Sequence, residues 1–312
     1  MDIERARSRI GPHVRHTPVE RAPGLEAGGA EVYLKLDNLQ VTGSFKARGA
    51  VNKLLSLTEA ARDRGVLAAS SGNHGAAVAY AAQALGCRAS VCVPTYASET
   101  KIAAIRSYGA TVTVVGDDCV ETEIHARGLA ADRGQTYISP YNDREVVCGQ
   151  GTLGAELAEQ VPDLDAVFVA VGGGGLIGGV GAYLKALSPR VEIVACSPAR
   201  SPALHACLEA GERVDVTCDA TLSDATAGGV EEGAITVPLC LEVVDTSLLV
   251  AEGAIREGMR YLLETHHTMV EGAAGVVVAA WRQVAPAYAN KRVALVICGA
   301  NVSAEVLRSV LS

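Results

Sequence analysis

The sequence predicts an α/β protein built on a parallel, doubly wound sheet. Three observations predict it. Short β-rich runs alternate with helical patterns from residue 30 onward. Most of those runs are continuously apolar, as strands covered on both faces are, instead of alternating with a period of two. The composition, 49% hydrophobic with 33 glycines and only 4% aromatic residues, suits helices packed closely on such a sheet.

The elements follow in order. A strand over Val32–Leu36 precedes a helix over Ser44–Ser56. Strand Val66–Ser70 leads into helix Gly75–Leu85, Ser90–Val93 into Glu99–Tyr108, and Thr111–Val115 into Val120–Arg133. Gly109 and Gly134 follow their helices closely and read as C-terminal stops. Helix Val146–Gln160, strand Ala166–Val171, helix Leu176–Leu187 and strand Val191–Cys196 come next. The segment Ala199–Thr236, with many glycines, prolines and charges, is the least regular, which suits a loop-rich surface near a site or a subunit contact. Helices Ala251–Thr265 and Ala273–Val284, strand Arg292–Ile297 and helix Ala304–Leu311 complete the chain.

The 312 residues are enough for two lobes or one large unit. A net charge of −8 argues against nucleic acid and anionic membranes as partners, since both need a cationic surface. No apolar run approaches the roughly 20 residues that span a bilayer, and Met1–Ile10 has no apolar signal core. The nine cysteines are scattered without a CxxC pair, as buried thiols in a reducing cytosol are. A soluble cytoplasmic protein is expected.

Four segments carry chemistry. In Thr42-Gly43-Ser44-Phe45-Lys46-Ala47-Arg48 a lysine opens a helix, whose positive end disfavours a charged ammonium. A neutral amine is what condensation with an aldehyde needs, although most first-turn lysines are simply solvated. Ser70-Ser71-Gly72-Asn73-His74-Gly75 forms a strand–turn–helix junction whose backbone N–H groups suit a carboxylate or phosphate, or an ordinary capped turn. Gly172-Gly173-Gly174-Gly175-Leu176 is costly in backbone entropy, a cost that makes sense where the backbone approaches a phosphate. Residues 173–178 also satisfy G-x-G-x-x-G. A dinucleotide site, however, wants an acid at the end of the next strand, and Ala195-Cys196-Ser197-Pro198 has none. Cys298, after the last strand, is either a thiol facing a ring nitrogen or a small buried hydrophobe.

Taken in this order, the segments resemble the serine/threonine dehydratase (ammonia-lyase) family of the tryptophan-synthase-β-like, fold type II pyridoxal-phosphate enzymes, and they are also similar to serine racemase. Further matching stretches are Leu34–Gln40, Gly149–Thr152 and Val270–Gly275, so the resemblance runs over nearly the whole chain. It implies two open twisted, mostly parallel sheets with flanking helices. Residues 1–64 and 143–312 would form a large cofactor-binding domain and residues 65–142 a small one.

The resemblance also implies roles. Lys46 would bind the aldehyde of pyridoxal 5′-phosphate and then shuttle the Cα proton. Phe45 would pack on the ring, Asn73 would bond the ring hydroxyl, and the amides of Gly172, Gly173, Gly174, Gly175 and Leu176 would hold the phosphate. Cys298 would face the pyridine nitrogen, and as a neutral thiol would leave it largely unprotonated, favouring prompt β-elimination. Ser70, Ser71, Gly72, Asn73 and His74 would hold the substrate carboxylate. The implied reaction eliminates the β-hydroxyl of a β-hydroxy amino acid such as L-threonine or L-serine and yields a 2-oxo acid and ammonia. A homodimer is implied in the same way.

Departures from the family pattern bear on the activity. Ser71 stands where threonine dehydratases commonly have Ala and serine racemases have Ser; a hydroxyl opposite Lys46 could return a proton to Cα and invert it. Against a racemase, Ser197–Ala203 lacks the carboxylates of that group's divalent-metal site, so no metal is expected. Tyr141 replaces the Asn of racemases, an aromatic wall that suits a bulkier or more apolar substrate side-chain pocket, and Ala300 replaces a common Gly. A β-replacement enzyme of the same fold is the other alternative; a non-catalytic binder is disfavoured by the intact lysine motif. The chain ends at Ser312, soon after Asn301, so the regulatory C-terminal domain of biosynthetic threonine dehydratases is not expected.

Overall fold

The computed structural model describes residues 2–312. Its first half runs α1 Ile3–Ile10, β1 Val19–Arg21, β2 Glu31–Leu36, α2 Lys46–Ser56, α3 Glu59–Arg64, β3 Val66–Ala69, α4 Asn73–Ala84, β4 Ala89–Val93, α5 Glu99–Ser107, β5 Thr111–Val114, α6 Cys119–Asp132 and β6 Thr136–Tyr137. The second half runs α7 Arg144–Gln160, β7 Ala166–Ala170, α8 Gly175–Leu187, β8 Glu192–Pro198, α9 Ala203–Ala210, α10 Thr236–Val243, β9 Thr246–Val250, α11 Glu252–His266, α12 Gly272–Val284, β10 Arg292–Ile297 and α13 Ala304–Leu311.

The strands form two sheets. The larger has the order β1-β2-β10-β7-β8-β9, and the smaller the order β5-β4-β3-β6. Among the strands of the described residues, β1 pairs antiparallel with β2 and every other strand pairing is parallel. The α/β class and the two mostly parallel sheets are therefore as expected. β7 is buried at every position, as a central strand covered on both faces must be.

The long elements lie where the hydrophobic pattern puts them, within two residues at either end. Gly109 and Gly134 adopt φ of 79° and 60°, the left-handed conformation of a helix stop. Three strands escaped the sequence reading: β1 and β6 are three and two residues long, and β9 follows directly on α10. Four helices escaped it as well: α1, α3, α9 and α10. Helix α1 buries Ile3, Ala6 and Ile10 on one face and carries charge elsewhere. Helix α9 interrupts the segment Ala199–Thr236, whose remainder is loop with one short 3₁₀ turn at Asp224–Thr226.

The larger core gathers around β7, β8 and β10, with Trp281 of α12 fully buried against Phe168 and Tyr288 at ring-centroid distances of 5.6 and 5.7 Å. The indole donates from Nε1 to the Leu25 carbonyl at 2.9 Å, so its one polar atom is satisfied. The smaller core gathers Val66, Ala68, Val91 and Val93 with the helices of that sheet, and takes in Ala50, Val51 and Leu54 of α2 and Val146 of α7. Helices α2 and α7 meet backbone to backbone. A Cβ on Gly149 would come within 2.5 Å of the Arg48 carbonyl oxygen and 2.7 Å of the Gly49 Cα. That close crossing fixes where α2 begins, and hence where Lys46 stands.

Candidate active site

The site lies where the two sheets face each other. One cleft is lined by Phe45 and Lys46 at the start of α2, Asn73 at the start of α4, and Tyr141 on the crossover into α7. Gly172–Leu176 after β7, Thr226, Glu271 and Cys298 line it as well. Strand ends of both sheets feed this cleft, the usual place for a ligand in open α/β sheets.

Residues more than two hundred positions apart are pinned together by backbone. Phe45 N donates to Cys298 O at 3.1 Å, Ala300 N donates to Gly43 O at 2.8 Å, and Ser44 bridges to Gly299. The Asn301 side chain donates to Thr42 O at 2.8 Å and to Asn73 Oδ1 at 2.6 Å. Thr42 holds φ 65°, a conformation that costs a β-branched residue and is paid for by these bonds. The turn before Lys46 is thus fixed by the turn after β10.

Lys46 Nζ donates to the Pro140 carbonyl at 2.8 Å and lies 5.2 Å from the Phe45 ring centroid. Burial pulls the amine down to about 8, against the opposing pull of Glu271 and Cys298. A large fraction of the amine is therefore neutral near pH 8, as condensation with an aldehyde requires.

The glycine run forms a cradle. Gly174, at φ 85°, caps α8 without any side chain, so the first N–H groups of the helix remain directed out of its end. A Cβ on Gly173 would overlap the Tyr141 ring, and one on Gly174 would come within 2.9 Å of Cys240 Sγ. Only glycine fits this backbone. The cradle and the Lys46 amine line the same cleft, so its donors fit a phosphorylated aldehyde: amides for the phosphate, an amine for the carbonyl.

Glu271 is the residue that sequence reading left without a role. It lies at the N-terminus of α12, 2% exposed, and its two oxygens accept from Asn73 Nδ2 at 3.0 and 2.9 Å. Burial raises its carboxyl to about 7, against the opposing effect of the Asn73 bond. Cys298 Sγ is 4.0 Å from Glu271 Oε1; burial, with the Glu271 charge adding to it, raises the thiol well above its ordinary value, so it is neutral. A lone acid at the head of the apolar run Val270–Val278 was the available signal, since an acid in such a run is buried only with a partner.

The remaining candidates divide. Asn73 is in the cleft with its amide fixed, Oδ1 towards Asn301 and Nδ2 towards Glu271. Ser70, Ser71 and Gly72 form the half-buried turn before α4, with Gly72 N donating to Ser70 Oγ at 3.2 Å. They flank the residues lining the cleft and are not among them. His74 is buried with Nε2 2.8 Å from the Ile138 carbonyl; burial, and then the Lys46 charge, lower it to about 3, so the ring is neutral and structural in its bonding.

Comparison with known proteins gives a consistent picture. A family model described as pyridoxal-phosphate dependent enzyme matches residues 10–299. The chain is 38% identical over 312 residues to an L-threonine ammonia-lyase of Thermotoga maritima, covering 100% of this chain and 77% of that protein. Threonine deaminase isoform 2 of Solanum lycopersicum, in its processed form, superimposes with a TM-score of 0.93 at 32% identity, covering 99% of this chain and 92% of that one. Maize serine racemase superimposes with a TM-score of 0.93 at 30% identity, covering 99% and 95%.

Proposed function

The chain belongs to the family of pyridoxal-phosphate dependent enzymes, and from that premise we propose that it eliminates the β-hydroxyl of a small β-hydroxy amino acid, L-threonine or L-serine, as water, which hydrolysis then returns, to give a 2-oxo acid and ammonia. The observation that carries the reading is that the Lys46 amine, depressed to about 8, lines the same cleft as the Gly172–Leu176 cradle.

The residues divide the work. Amides of Gly172–Leu176 hold the cofactor phosphate, Asn73 its ring hydroxyl, Phe45 its ring face, Cys298 its ring nitrogen and Lys46 its aldehyde. When bound, pyridoxal phosphate supplies an electron sink that acidifies the substrate Cα–H. Lys46 Nζ takes that proton, and its bond to Pro140 O keeps the lone pair from wandering. A thiol, unlike a carboxylate, leaves the ring nitrogen without a strong proton acceptor, which favours loss of the β-hydroxyl over transamination. The turn Ser70–His74 receives the substrate carboxylate through its amides and hydroxyls. Residues 65–142 act as a small domain that closes over the substrate and excludes water. The enzyme works as a cytoplasmic homodimer. Among the described residues no helix is long and apolar enough to cross a membrane.

The test is release of ammonia and 2-oxobutanoate from L-threonine, or of pyruvate from L-serine, by protein showing the visible absorption band of lysine-bound cofactor. Lys46→Ala removes both; persistence of the band in that variant overturns the assignment. Racemisation is a second reading, supported by the presence of Ser71 in the turn that flanks the cleft and by the likeness to a serine racemase. A chiral assay of residual serine decides it: D-serine accumulating faster than pyruvate makes inversion the main activity.

A further inference from the structure

Tyr141 is held more firmly than a pocket wall requires. Its ring lies against Gly173, and its hydroxyl accepts from Glu231 N at 2.9 Å. Burial raises the phenol to about 12, so the group is neutral. The preceding residue, Pro140, supplies the carbonyl that anchors Lys46 Nζ. One short crossover between β6 and α7 therefore positions both the reactive amine and the wall beside it.

That crossover is braced from across the cleft. Glu231 lies in the loop between α9 and α10, attached to the larger sheet. Its carboxylate meets Arg127 of α6 at 2.7 Å, and α6 packs on β3, β4 and β6 of the smaller sheet. Arg127 is held in turn by Glu123 at 2.6 Å, and its guanidinium stacks 4.4 Å from the Tyr137 ring centroid. Asn142 Oδ1 accepts from Ile235 N at 2.9 Å, and Lys101 of α5 pairs with Asp224 at 3.1 Å. The same loop reaches the cradle, where a Cβ on Gly172 would meet the Thr226 backbone at 3.1 Å.

Resting on the elimination reading above, we propose that Arg127, Glu231 and Tyr141 form a brace between the two sheets that sets the width of the substrate side-chain pocket, restricting the enzyme to small β-hydroxy amino acids and excluding β-aryl ones. Arg127 and Glu231 are positioning residues: they act on substrate through Tyr141. Pocket width is then a property of how the sheets sit together. A static wall would owe nothing to an ion pair on the far side of the loop. The pair is part-exposed, so salt screens it, and the discrimination it maintains weakens with ionic strength.

The experiment compares holoenzyme with Glu231→Gln, Arg127→Met and Tyr141→Phe on L-threonine and on a β-phenylserine. Arg127→Met keeps the apolar stem against Tyr137, and Glu231→Gln keeps the loop's shape, so one covers for the other should either fold poorly. The expected result is a roughly tenfold fall in the threonine-to-phenylserine ratio of kcat/KM for each charge variant, carried mainly by KM. The double variant falls no further than either single one, and Tyr141→Phe changes the ratio in the same direction. The cofactor absorption band stays unchanged throughout. Equal losses on both substrates, or additive losses in the double variant, overturn the brace while leaving the elimination reading intact. Failure of the unaltered enzyme to release ammonia from any β-hydroxy amino acid overturns the elimination reading instead; the brace is then overturned separately if β-phenylserine quenches or shifts the cofactor band equally in all variants.

Discussion

Lys46 and Arg48 sit two residues apart on α2 and face opposite electrostatic worlds. Arg48 is 0% exposed and fully engaged: Nε and Nη2 donate to Asp37 at 2.7 and 2.8 Å, and Nη1 and Nη2 donate to Glu156 at 2.6 and 2.9 Å. Lys35 adds a second cation at 2.6 Å from Glu156. Burial alone would push Asp37 and Glu156 up, but Arg48 outweighs it and holds both carboxyls below their ordinary values. Around Lys46 the balance runs the other way. Among the described residues no counterion touches the amine, Glu271 is bonded to a neutral amide, and burial wins for both. The difference teaches that burial by itself does not make a reactive group. Burial without a counterion does, and the helix supplies both cases from one turn.

The contrast can be broken at either end. Lys46→Ala should abolish turnover by at least about 10⁴-fold, since both proton transfer and cofactor attachment go with it. Its melting temperature should not fall, because the lost group is one that folding penalised. Arg48→Met should do the reverse. Removing one partner of a buried network costs about 3–5 kcal/mol, so denaturant unfolding should show that loss while the folded fraction keeps its specific activity.

Glu271→Gln sharpens the comparison through pH. The native carboxyl, at about 7, holds its proton where the unfolded one, near 4.5, has lost it. Native protein therefore binds more protons between those values, and stability falls as pH rises through that window. The glutamine variant lacks this fall. Its stability relative to wild type should improve by up to about 3 kcal/mol between pH 4.5 and pH 7 in the cofactor-free protein, read from paired denaturant titrations. No such difference would mean that Glu271 stays charged in the fold. The smallest effect is kinetic. Capture of pyridoxal phosphate by the cofactor-free protein needs neutral Lys46, so its rate should climb by about tenfold per pH unit up to about 8 and then level. Stopped-flow absorbance across that range checks it; a break nearer 10 would give Lys46 an ordinary amine.

Much of this was legible beforehand, for stated reasons. The long strands and helices could be read because a short, β-branched apolar run of β7's kind, bounded by turn residues, suits a strand covered on both faces. Lys46, Asn73 and the four glycines could be read because they stand at strand–helix junctions, where chemistry and chain geometry coincide. Strands β1 and β6 are too short for any period to register. Helix α1 gives no clear period because its three buried residues, Ile3, Ala6 and Ile10, are diluted by charge. Glu271 and the partners of Tyr141 depend on contacts made across 198 and 90 positions, and no local pattern carries such pairings.

Strand β10 has a consequence in time. It is the last strand of the chain, yet it lies third in the larger sheet, between β2 and β7, and the turn that follows it buttresses the one holding Lys46. A ribosome-bound chain that has already made the lysine, the asparagine and the glycine run still has a gap where β10 belongs. Assembly of the candidate site must therefore wait until β10 has been made, and cofactor loading is gated by insertion of one six-residue strand.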